Sequence, residues 1–105
     1  MKLESAPTAI FVASDSMALE VMAVAAELGK NIPRDMSIMG FDDNPSGLYA
    51  PVALTTIKQP LIKMAQDSVK ELNKIMSERS SKITRQVLPC ELIIRESCSR
   101  PGKEK

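Results

Sequence analysis

Two short apolar runs, Ala9-Ile10-Phe11-Val12-Ala13 and Ser37-Ile38-Met39-Gly40-Phe41, each end in polar residues, Ser14-Asp15 and Asp42-Asp43. Apolar runs of this length, bounded by turn signals, read as buried strands of a parallel sheet. The stretch between them, Asp15 to Leu28, predicts a helix. Ser14 or Asp15 can cap it by accepting from first-turn amides, and Gly29 stops it where left-handed geometry is favoured. From Met17 to Leu28 the only polar residues are Glu20 and Glu27, seven positions apart. A helix with so narrow a wet stripe is expected to be buried on two sides, against the sheet and against a second surface such as a subunit interface. Asn31-Ile32-Pro33-Arg34-Asp35 forms the turn that completes a strand–helix–strand unit, with the right-handed crossover such units take.

Downstream, Asn44-Pro45-Ser46-Gly47 reads as a loop and Leu48-Tyr49-Ala50-Pro51 as an irregular turn. Leu54-Thr55-Thr56-Ile57-Lys58 is rich in β-formers, and Pro60 follows at the favoured first helical position. From Leu61 to about Ser77, Leu61, Met64, Ala65, Ser68, Val69, Leu72, Ile75 and Met76 recur at helical spacing, with Lys63, Asp67, Lys70, Glu71 and Lys74 opposite. Ser77 to Lys82 reads as a polar linker, Arg85-Gln86-Val87-Leu88 and Glu91 to Arg95 as extended chain broken by Pro89, and Ser99 to Lys105 as a frayed tail. The order β-α-β-β-α-β predicts an α/β fold whose parallel sheet is only partly covered. A complete doubly wound sheet needs helices on both faces, so the facing half is expected to lie outside this sequence.

The 105 residues allow one domain, and 44% hydrophobic with 26% charged residues is the composition of a globular chain. Fourteen Lys and Arg are scattered among thirteen acids, for a formal charge of +1. That leaves no basic patch with which this segment could hold DNA unaided. Neither a signal peptide nor an apolar span of ~20 residues is present, so no membrane contact is expected and the chain is expected to be cytoplasmic. There is no histidine, and Cys90 and Cys98 lie eight positions apart in extended chain, too far for a disulfide at ~3.3 Å per residue. Neither a metal site nor a cofactor is expected, and an enzyme is not. What remains is position: ligands of open α/β sheets bind at the C-terminal edge, where both apolar runs deliver carboxylates.

Pro7-Thr8-Ala9-Ile10-Phe11 running into Ala13-Ser14-Asp15-Ser16-Met17-Ala18-Leu19, and Ile32-Pro33-Arg34-Asp35-Met36-Ser37-Ile38-Met39-Gly40-Phe41-Asp42-Asp43, together resemble the LacI/GalR family of bacterial transcription repressors. The similarity continues through Leu54-Thr55-Thr56-Ile57-Lys58-Gln59-Pro60 and Leu88-Pro89-Cys90-Glu91-Leu92-Ile93-Ile94-Arg95-Glu96-Ser97. The resemblance implies a C-terminal fragment of a type I periplasmic-binding-protein-like effector region, built from two hinged α/β subdomains. On it, 5–54 and 84–98 belong to the C-terminal subdomain, 55–59 to a crossover and 60–79 to a helix of the N-terminal subdomain. It implies a small-molecule effector, a sugar or nucleoside-like ligand, contacted by Asp42, Gln59 and position 14. That position is commonly Asn in the family and here is Ser14, one hydroxyl in place of a fork. Asp15 is a further candidate contact, though a helix cap is the plainer role for it, and Asp43 reads as a solvated loop acid.

The resemblance also implies a homodimer whose contact corresponds to Leu19, Met22, Ala23, Leu48 and Tyr49. DNA would be reached only through an N-terminal helix-turn-helix that this chain does not contain. A fragment of a periplasmic sugar-binding protein of an ABC transporter is the alternative on the same architecture; Gly40-Phe41-Asp42-Asp43 and Leu54-Thr55-Thr56-Ile57 favour the repressor. A phosphoryl-receiver reading of Asp42-Asp43, Thr55 and Lys58 fails on spacing, since hydroxyl and lysine sit three residues apart on one strand.

Overall fold

A computed structural model describes residues 6–78 and 84–101. In chain order the elements are β1 (Ala9–Phe11), α1 (Asp15–Glu27), β2 (Ser37–Met39), a 3-10 helix (Pro45–Tyr49), β3 (Thr56–Lys58), α2 (Leu61–Glu78) and β4 (Glu91–Ile93). β1 and β2 are parallel, with Ala9 opposite Ser37 and Phe11 opposite Met39. Backbone bonds carry this pairing past the strand ends, from Val12 N–H to the Met39 carbonyl (2.8 Å) and from Asp15 N–H to the Phe41 carbonyl (3.0 Å). On the other side of β2 a parallel bridge joins Met39 to Thr55, and Gly40 and Asp42 donate to the Thr55 and Ile57 carbonyls, each at 2.9 Å. Parallel pairing on both sides of β2 brings the C-terminal ends of three successive chain segments to one edge. β4 pairs with β3.

The chain divides into two compact units, Met1–Lys58 with Leu92–Lys105, and Gln59–Glu91. The first unit holds a core of Val12, Ala18, Met22, Ile38 and Leu54, with Ile38 and Leu54 fully buried. α1 contributes Ala18, Met22 and Ala25, spaced four and three residues apart and so aligned on one helix face. Among the described residues of the first unit this helix is not buried on two sides. Its apolar residues outside that face, Met17, Val24 and Leu28, are exposed. Ser14 is the N-cap, accepting from Met17 N–H at 3.2 Å, and Gly29 follows the C-cap at φ 76°. The 3-10 helix replaces the expected loop because Asn44 caps it, its Oδ1 accepting from Ser46 N–H (2.9 Å), while Pro45 supplies a preset φ at its first position.

Ser97 is fully buried and bridges the sheet. Its carbonyl accepts from Ile38 N–H (2.9 Å), while its hydroxyl donates to the Ile38 carbonyl (2.5 Å) and accepts from Thr55 N–H (2.9 Å). Two residues on, Ser99 N–H donates to Ser37 Oγ at 2.9 Å and Ser37 Oγ donates to the Ser99 carbonyl at 3.1 Å. The expectation of a frayed tail therefore fails at Ser99, because hydroxyls on both segments satisfy backbone groups that would otherwise face solvent. Residues 102–105 lie outside the described residues.

In the second unit α2 buries none of its residues. Its helical spacing is as predicted, and Lys63 pairs with Asp67 one turn on (3.0 Å). Thr84 Oγ1 donates to Glu71 Oε1 at 2.7 Å, and Leu88 and Cys90 line an open groove with Met64, Ser68, Leu72 and Ile75. The segment Thr84–Glu91 falls in this unit, in side-chain contact with α2. It has no regular secondary structure before β4. The polar linker from Ser77 lies mostly outside the described residues.

Candidate functional site

The sheet edge in the first unit is made by residues that leave the strands in strained or capped conformations. Ser14 follows the first strand segment in extended conformation, φ −150°, with its hydroxyl turned to cap α1. Among the described residues that hydroxyl accepts from Met17 N–H and donates to no other group. Asp42 and Asp43 both adopt positive φ, 125° and 59°. Residues with a Cβ pay about 1–3 kcal/mol each for such conformations, so the surrounding structure has to impose them. Three consecutive amides show how. Asp42 N–H donates to the Ile57 carbonyl (2.9 Å), Asp43 N–H to Thr56 Oγ1 (3.3 Å) and Asn44 N–H to Asp15 Oδ2 (2.7 Å). With its backbone pinned, Asp42 is exposed at the edge.

Asp15, expected as a helix cap or a ligand contact, does not cap α1, since Ser14 holds that position. It is the first residue of α1, 0% exposed, and accepts from the Thr56 hydroxyl through Oδ1 (2.6 Å) and from Asn44 N–H through Oδ2. Both oxygens are engaged inside the protein, which leaves Asp15 as a brace between α1, the Asp42 loop and β3. Its place at a helix N-terminus favours a carboxylate there. Gly40 is the counterpart of this brace: a Cβ at that position would collide with Asp15 Oδ1 and press on Leu54. No side chain larger than hydrogen fits between the second strand and the start of α1.

Asp43 is likewise not a solvated loop acid. Its Oδ1 receives Arg95 Nη2 at 2.6 Å, with both side chains largely covered. The other arm of the guanidinium, Nη1, donates to the Leu54 carbonyl (2.9 Å), and Arg95 N–H donates to Thr55 Oγ1 (2.9 Å). Thr56 and Arg95 were not legible as site residues in the sequence. The available signals were a hydroxyl inside a β-rich run and an arginine ending an apolar one, and neither states which acid it will meet. Gln59 opens the second unit and is half-buried there, lining the groove with Pro60 and Met64.

The residues expected at a subunit contact divide. Tyr49 is 85% exposed, Leu48 and Ala23 are exposed and Leu19 is half-buried. Leu19, Met22, Ala23, Ala26, Ile32 and Tyr49 line a mostly apolar groove on the first unit. Met22 is only 8% exposed and belongs to the core, because its side chain projects on the Ala18–Ala25 face. Met22 also lines the groove beside Leu19 and Ala23. Among the described residues no group of three or more Cys, Asp or Glu could hold a metal ion, and no helix is long and apolar enough to cross a membrane. Cys90 and Cys98 are free, exposed thiols.

The periplasmic binding protein-like domain family matches residues 1–98. The chain is 42% identical over 92 residues to the HTH-type transcriptional regulator MalR of Clostridium butyricum, covering 87% of this chain and 27% of that protein. A LacI family transcriptional regulator from Enterococcus faecium, solved with bound ribose, superposes with a TM-score of 0.78 at 32% identity, over 91% of this chain and 36% of that one. The lac repressor dimer bound to operator and the anti-inducer ONPF superposes with a TM-score of 0.79 at 36% identity, over 88% and 32% of the two chains. The sequence thus spans about a third of the length of the proteins it matches.

Proposed function

Because this chain belongs to the periplasmic-binding-protein-like domain of LacI-family transcriptional regulators, we propose that its sheet edge recognises a sugar or related polar effector on behalf of a repressor. The observation that carries the reading is the exposed Asp42, fixed at the C-terminal ends of parallel chain segments by three pinned amides. An ionised carboxylate only accepts, and its two oxygens suit two neighbouring hydroxyls of one sugar. Ser14, whose hydroxyl donates to no other group among the described residues, supplies a donor from the first strand. Gln59 is a further contact on the strength of the family resemblance alone, as is the assignment of 5–54 and 84–98 to a C-terminal subdomain, 55–59 to a crossover and 60–79 to a helix of the N-terminal subdomain.

In the whole regulator, effector binding shifts a conformational equilibrium and DNA affinity follows, a coupling that requires different effector affinity in the two states. DNA is read by another domain, in keeping with the near-neutral charge of this one. Two copies associate through the groove around Leu19, Met22, Ala23, Leu48 and Tyr49, and the protein works in the cytoplasm.

Isotope-labelled chain titrated with ribose, glucose and galactose tests the effector site. The expected result is saturable shifts at the Ser14 and Asp42 amides with Kd of about 1–10 mM, weak because one wall of a cleft encloses little of a ligand. Asp42→Ala should abolish them. Shifts that do not saturate with any of the three sugars, or that survive Asp42→Ala, would overturn the assignment.

A further inference from the structure

We infer that Thr56, Asp15 and Arg95 are positioning residues, whose shared function is to hold the Asp42 loop in its strained, outward-facing conformation. The inference rests on the effector-site reading for its purpose, but the geometry that carries it is independent of any ligand. Two successive residues at positive φ do not hold themselves, and glycine is absent from Asp42-Asp43-Asn44. The restraint comes from a relay of polar groups. Asp43 N–H donates to Thr56 Oγ1, the Thr56 hydroxyl proton goes to Asp15 Oδ1, and the second Asp15 oxygen takes Asn44 N–H. Thr56 is therefore used as acceptor and donor at once, and Asp15 with both oxygens.

Arg95 closes the arrangement from the other side. One arm of its guanidinium holds the Asp43 carboxylate and the other the Leu54 carbonyl two residues before β3, so the loop is referred to the same strand by two routes. A planar fork with separated donors does this and an ammonium does not. Thr56 and Asp15 are fully buried and every polar atom in the relay has a partner, which is the condition under which such a network rigidifies a structure. None of the three residues is exposed at the edge, so each acts on a ligand only through where it places Asp42.

Amide hydrogen exchange on the 105-residue chain tests this. In the parent, Asp43 and Asn44 should be protected. Thr56→Val, which keeps shape and removes the hydroxyl, should raise exchange at those two amides by about tenfold or more while leaving Ala18 and Ile38 within about twofold, and Thr56→Ser should restore protection. Arg95→Lys should raise exchange at Asp43 in the same way, and it serves as the second variant should Thr56→Val fail to fold. A merely structural role predicts instead that all amides rise in parallel and that Thr56→Ser and Thr56→Val behave alike. Parallel loss, or rapid exchange at Asp43 and Asn44 in the parent, would overturn the inference. A ribose titration of the same samples separates the two readings: loosening of the loop in a chain whose Asp42 never responds to sugar refutes the effector site and leaves the positioning intact.

Discussion

α1 is apolar around most of its circumference, broken after Met17 by Glu20 and Glu27, whereas α2 divides cleanly into an apolar and a charged face. By pattern alone α2 is the better surface helix and should have the better defined buried side. The outcome is reversed: α1 buries Asp15, Ala18, Met22 and Ala25, and α2 buries nothing. The difference lies in what each helix is given to pack on. α1 is followed by a second parallel strand that returns beside the first, so its own strand–helix–strand unit supplies the sheet. Among the described residues of its own unit, α2 has the irregular segment 84–90 beside its apolar side, and Leu72 remains 58% exposed. Amphipathic periodicity specifies a face that needs covering; it does not supply the cover.

Substitutions sharpen this contrast. Leu54→Ala or Ile38→Ala, at positions buried completely, should destabilise the first unit by about 2–5 kcal/mol in urea unfolding, the range for large-to-small changes in a packed core. A loss below about 1 kcal/mol would mean that α1 is not packed as described. Met22→Glu should be as damaging, since it places a carboxylate among Val12, Ile38 and Leu54 without a partner. Next comes the proposed subunit contact. Leu19→Lys and Tyr49→Lys should weaken self-association by about 1–3 kcal/mol while changing monomer stability far less than Met22→Glu. Light scattering on a sizing column reads both effects, and an unchanged mass would place the contact elsewhere.

The smallest effects belong to α2. Leu72→Lys, on a face that buries nothing, should alter the unfolding free energy by less than about 0.5 kcal/mol and should raise solubility. A larger loss would show that a second copy or another segment covers the helix in solution. Lys63→Ala removes an exposed pair one turn apart and should lower α2 helicity by only ~0.3 kcal/mol, measured by circular dichroism with and without salt.

Much of the fold could be read in advance because it follows from local pattern. The apolar runs became β1 and β2, Gly29 ended α1 at positive φ, and Pro60 preceded α2. The strands came out shorter than their apolar runs. Val12 and Phe41 continue the pairing through backbone bonds while the chain already bends away toward the edge. The site was less legible. Ser14 and Asp15 are adjacent polar residues after a strand, and sequence offers both as caps. Which one caps and which is buried depends on Thr56, 41 residues away, whose hydroxyl meets Asp15. Asp42 and Asp43 pose the same problem, and Arg95, 52 residues from Asp43, resolves it.

By itself the sequence determined the element order, the parallel α/β architecture and the placing of acids at the C-terminal edge, because periodicity, caps and turn residues act over a few positions. Tertiary structure decided what each acid does. A carboxylate has the same chemistry in every context, and only its long-range donors separate the buried brace Asp15 and the ion-paired Asp43 from the exposed Asp42. It decided equally that Met22 is core and Tyr49 is surface, since a helix face acquires an inside only when a particular sheet lies beneath it.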